Sequence, residues 1–320
     1  MIYNVNGKPL QAQTFSPVLP PDDILTVTNP TELYTTFAAV YNAYDTLLAD
    51  VAHEKNLLGY GTDASGNKDT GLPIYEYVLF NPLEPNYPEE PTWAIKRATK
   101  VCLVSGVHGN ERGAVVSLFN CIREIVSGTD PASIMLRNAA QYRIVPVMNP
   151  GGYNDNTRNN RHGVNLARNF SYNWGEGEDP GSAPYSEYET QALKTWCDAQ
   201  APTTTFMVDL HNHLSSQSFT YFYIYTELEI WKGAFSSVLR GMYDHYEAEG
   251  INLANYGKTQ ERNRIANIVS EFNKVHGVDA GGLETPNNPN NPTDNQWIKP
   301  SAELDGTFLL YLLKNYPAVS

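Results

Sequence analysis

The chain has 320 residues, 41% of them hydrophobic and 18% charged, with 35 acidic against 22 basic side chains and a formal net charge of −13. That apolar fraction supports a sizeable core and excludes wholesale disorder. The acidic balance excludes nucleic acid and anionic membranes as partners, because both are recognised through basic patches.

The start, MIYNVNGKPLQAQ, lacks a basic stretch followed by an apolar run, so no signal peptide is visible and the sequence leaves the cellular compartment open. No segment approaches the roughly 18 apolar residues of a membrane-spanning helix. Residues 1–30 are proline-rich without sustained period and read as an arm wrapped on one domain, which is expected to span 31–320. A helix is predicted from Thr31 to Val51, where Leu33, Phe37, Val40, Tyr41, Tyr44, Leu47, Leu48 and Val51 recur at three and four residues. A strand at Leu57–Tyr60, a turn rich in Gly, Asp, Ser and Asn, and the alternating strand Pro73–Phe80 predict a hairpin on a sheet edge.

Strands and helices then alternate. Lys100–Val107 and Tyr142–Val147 are near-continuous apolar runs of the kind buried on both faces of a sheet. Glu111–Ile125 and Ser186–Ala199 read as helices, and Thr205–Leu210 as a third buried strand. Helices are expected again near Trp231–Gly250, Glu261–His276 and Ser301–Tyr316, with a surface loop at Pro286–Asn295 between the last two. The expected fold is therefore α/β, a mixed but mostly parallel twisted sheet covered by helices on both faces. Cys102, Cys121 and Cys197 fall inside these elements and read as small buried apolar residues rather than a disulfide framework.

Ligands of such sheets bind beyond the carboxyl ends of the strands. The first predicted buried strand ends in His108-Gly109-Asn110-Glu111, placing a His and a Glu three residues apart where the chain turns. Imidazole nitrogen and carboxylate oxygen both suit Zn²⁺, and two protein ligands plus one further His leave a position open for water. The third strand runs into His211-Asn212-His213, and its period of two puts both histidines on one side. From the residues alone either one can be that third ligand. Between these strands lies a Gly/Asn-rich loop whose Arg158 and Arg168 are candidates to enter the cleft, whereas Arg143 and Arg161 read as solvated charges.

HGNE at 108–111, NPGGY at 149–153, TRNNRHGVNLARNF at 157–170 and DLH at 209–211 together resemble zinc carboxypeptidases of the carboxypeptidase A type. The resemblance implies one zinc ion per chain, held by His108, Glu111 and His211, the last favoured over His213. It implies Glu284, in AGGLET, as the catalytic acid–base, and Arg158 as the group that polarises the scissile carbonyl. It matches Arg168, with Asn169 beside it, to binding of the substrate's terminal carboxylate, and Tyr256 to a tyrosine that covers the substrate. Two positions depart from the pattern. Asn165 stands where the family has an aspartate that accepts a hydrogen bond from a zinc-bound histidine, and Ala167 where it has an asparagine that helps bind the carboxylate. The expected activity is hydrolysis of an amide bond in a peptide or cell-wall peptide. The alternatives are a deacylase of N-acyl amino acids, resembling aspartoacylase and succinylglutamate desuccinylase, and an inactive binding module on the same fold.

Overall fold

The computed structural model describes residues 24–27, 34–79, 99–214, 223–248, 267–287 and 295–315. Among these residues, seven strands form one sheet: β1 (His53–Thr62), β2 (Lys68–Leu79), β3 (Thr99–Ser105), β4 (Ala140–Val145), β5 (Phe206–Leu214), β6 (Tyr223–Tyr225) and β7 (Asp279–Asn287). Their order is β1-β2-β4-β3-β5-β7-β6. The four central strands β4, β3, β5 and β7 run parallel, while the β1–β2 hairpin and β6 flank them antiparallel. The hairpin occupies the sheet edge, as its alternation predicts, although both strands extend beyond the predicted spans.

Among the described residues, eight α-helices connect and cover the strands: α1 (Phe37–Leu47), α2 (Arg112–Ser127), α3 (Pro131–Ala139), α4 (Pro150–Asp155), α5 (Tyr188–Gln200), α6 (Glu229–Ala248), the single turn α7 (Ile268–Ser270) and α8 (Asn295–Asn315). Alternate strand residues face opposite cores. Val101, Leu103, Ile144, Val208 and Leu210 pack with α1, α2, α3, α6 and α8. Cys102, Val104, Val145, Met207 and Ala280 pack with α5 and α7 on the other face. All three cysteines are free and buried. Among the described residues, no helix is long and apolar enough to cross a membrane.

Several elements differ from expectation for local reasons. α4 lies in NPGGY, where two glycines read as loop. Pro150 opens this helix and the Asn149 side chain caps it by accepting from the Gly152 amide. α8 begins at Asn295, upstream of the expected start at Ser301, and carries Pro300 within it. Arg143 is no free surface charge: it donates to the buried Glu76 at 2.9 Å. The expected helix Glu261–His276 is represented by α7 and a wide turn at Glu271–Val275, its earlier part lying outside the described residues. Of the N-terminal arm, Leu25 and Val27 donate their amides to Thr307 and Glu303 of α8.

Candidate metal centre

Because β3, β4, β5 and β7 are parallel, their carboxyl ends deliver side chains to one sheet edge. The chain leaves β3 through Gly106 and reaches His108 and Glu111 just before α2. This passage needs glycine at position 109. A Cβ there would stand 1.9 Å from the Gly152 carbonyl carbon, backbone against backbone, so the HGNE turn nests directly on α4. Asn149 ties the same two segments, donating to the Val107 carbonyl at 3.2 Å.

His108, Glu111 and His211 come together as a buried group, their ligating atoms all within 4.8 Å of one another. Glu111 lies between the rings: His108 Nδ1 is 2.8 Å from its Oε1 and His211 Nδ1 is 3.0 Å from its Oε2. His108 Nδ1, although buried, has no well-aligned hydrogen-bond partner among the described residues, as expected of a nitrogen whose natural partner is a cation. Two imidazole nitrogens and a carboxylate are a donor set that suits zinc. The residues therefore fit a zinc ion.

The ring nitrogens facing away from this point are also held. His108 Nε2 lies 3.2 Å from Asn165 Oδ1, and His211 Nε2 lies 2.8 Å from Asp209 Oδ2. Asn212 clamps the strand end to the helix, its Oδ1 accepting from the Ala114 amide at 2.9 Å. Asp209 and Asn212 carried no assigned role in the sequence. Asp209 was legible in principle, since two residues before a histidine on a strand is the same face.

These contacts set the electrostatics. Burial pushes Glu111's carboxyl upward, but the neighbouring His108 and His211 outweigh it and hold it below the usual carboxylate range. Burial lowers His108, whereas for His211 the neighbouring Asp209 and Glu111 overcome burial and raise it. Arg158, about half exposed, donates to Glu111 Oε1 at 2.9 Å and so reaches the group from the open side. Glu284 of β7 is in register with His211 of β5. Its Oε2 is buried with no hydrogen-bond partner among the described residues, and burial together with Glu111's negative charge pushes its carboxyl up to about 7.

The remaining predicted residues separate. Arg168 donates to the Ala167 carbonyl at 3.2 Å and lies along Gly177. Asn169 differs from expectation. Its amide nitrogen donates to Pro180, Ala183 and Ser186, and its oxygen accepts from the Glu187 amide and the Thr190 hydroxyl. Both ends of that buried amide are committed to holding the loop. Tyr256 lies outside the described residues, as does the side chain of His213.

The zinc carboxypeptidase family matches residues 88–280, more than half of the chain. The chain belongs to the zinc carboxypeptidase family. Membership gives its class, zinc metallopeptidase. The fold is shared with carboxypeptidase A from Helicoverpa armigera, at a TM-score of 0.63 and 15% identity over 94% of this chain and 76% of that one. It is shared also with a metallo-carboxypeptidase from Burkholderia cenocepacia, at a TM-score of 0.55 and 17% identity over 85% and 68%. A curated relative, murein peptide amidase A of Escherichia coli, is 32% identical over 108 residues, covering 28% of this chain. That match spans only 40% of the relative's length.

Proposed function

We propose that this chain hydrolyses an amide bond in a peptide, with murein peptides the leading substrate class, at one zinc ion held by His108, Glu111 and His211. The observation that carries the reading is Glu284, a carboxyl in register with His211 whose buried Oε2 has no hydrogen-bond partner among the described residues, placing a proton acceptor beside the three ligands. Zinc bound there supplies the Lewis acidity that makes water nucleophilic near neutral pH and polarises the scissile carbonyl.

The chain's own residues do the rest. Glu284 takes the proton from the attacking water and then delivers it to the leaving amine, which makes departure of an amine feasible. Arg158 swings its exposed guanidinium from Glu111 to the carbonyl oxygen, donating to it as negative charge develops. Arg168 is the proposed partner of the substrate's carboxylate. Beside it the methyl of Ala167 offers no donor, so carboxylate capture rests on the arginine without help from an amide. The name of murein peptide amidase A, together with the stretch shared with it, supports the choice of murein peptides.

Incubation of the zinc-loaded protein with murein peptides, other peptides with free C-termini and N-acyl amino acids, with products read by mass spectrometry, tests this reading. Peptide cleavage abolished by a zinc chelator and restored by Zn²⁺ is expected. Cleavage of N-acyl amino acids alone would replace the peptidase reading with the deacylase one.

A further inference from the structure

The two histidines of the centre are supported unequally. His108 faces a neutral amide oxygen, Asn165 Oδ1, which also accepts from the Ala167 amide at 3.2 Å and caps the short turn Leu166–Arg168. His211 faces a carboxylate, Asp209 Oδ2, at 2.8 Å. Asp209 is completely buried, and its other oxygen has no hydrogen-bond partner among the described residues. A buried carboxylate with so few partners is costly unless positive charge balances it. The neighbouring position where a cation fits lies on the opposite side of the same ring, next to Nδ1.

We infer that Asp209 is the positioning residue that sets the centre's zinc affinity, holding His211 in the tautomer that presents Nδ1 and making that nitrogen a stronger donor. Asn165 performs the geometric half of this task for His108 and contributes little of the charge. An accepting carboxylate raises the basicity of a ligating imidazole, whereas a neutral amide orients the ring without adding charge. The inference rests on the proposed zinc centre. It adds an asymmetry that the three ligands alone do not imply: the bond to His211 is the strong one, and the bond to His108 can be strengthened.

Competition of Zn²⁺ between the protein and a chromophoric chelator measures the effect without recourse to activity. Asp209→Asn is expected to weaken zinc binding roughly 10–100-fold. Asn165→Asp alone is expected to tighten it, and the double variant Asn165→Asp/Asp209→Asn to recover at least tenfold over Asp209→Asn. The decisive arm is Asp209→Asn itself, read beside its denaturant midpoint: zinc affinity lost while stability stays near wild type separates loss of the charge from a structural defect at position 209. Wild-type affinity in Asp209→Asn, or a double variant no tighter than Asp209→Asn, overturns the inference. If Asp209→Asn fails to fold, Asn165→Asp decides alone, and unchanged affinity there overturns it. Wild-type protein that binds no Zn²⁺ overturns instead the reading of the centre itself.

Discussion

Asp305 lies on α8, buried against α2, where its Oδ2 accepts from the Ser117 hydroxyl at 2.6 Å and its Oδ1 has no hydrogen-bond partner among the described residues. Burial outweighs that hydrogen bond and pushes its carboxyl from 3.8 to about 7. The folded value exceeds the unfolded one, so the stability this group contributes is fully present below 3.8 and is lost as the pH rises through about 7. The penalty amounts to about 2 kcal/mol at pH 5 and about 4 kcal/mol at pH 8, since each pH unit between the two values contributes about 1.4 kcal/mol. Asp305→Asn keeps the acceptor for Ser117 and removes the charge. The variant is expected to be only modestly more stable than wild type at pH 5 and about 4 kcal/mol more stable at pH 8. Denaturant midpoints of both proteins, measured at the two pH values, isolate the effect, because groups common to both cancel in the difference. A gap that stays constant with pH would refute the assignment of this carboxyl as the buried proton-binding group.

Two further outcomes follow from the geometry of the site. Gly109→Ala drives a methyl into the Gly152 and Tyr153 backbone, and is expected to lower stability by about 3 kcal/mol and to weaken zinc binding by displacing the His108 turn. Denaturant unfolding and metal titration check it. Arg158→Ala is expected to lower kcat roughly 10²–10³-fold while zinc remains bound, as loss of an oxyanion donor does. Steady-state kinetics alongside metal analysis separates this outcome from loss of the metal.

Much of the centre was legible because its chemistry is local in sequence. His108 and Glu111 share one turn, and His211 directly follows an apolar run that marks a buried strand, although only the family resemblance favoured it over His213. The parallel central strands followed from strand–helix alternation, which brings those ends to one edge. What escaped depends on distant partners. Asn169 sits beside an arginine in a polar loop, and only the fold brings Pro180, Ala183, Ser186 and Thr190 around its amide. Arg143 looked solvated because Glu76 is on a neighbouring strand. Glycine misled where a cap overrides its propensity, as in α4. α3 carried a readable signal that went unused, since Asp130 followed by Pro131 is an N-cap with proline in the first turn.

The central claim is that His108, Glu111 and His211 hold the metal while Glu284 moves the proton. Zinc content and turnover of Glu284→Gln, measured on one preparation beside wild type, test it most directly. The account predicts one zinc per chain in both proteins, with peptide hydrolysis in the variant reduced by two to four orders of magnitude, as roughly expected for loss of an acid–base group. Wild-type turnover in Glu284→Gln, or well below one zinc per chain in active wild-type protein, would contradict it.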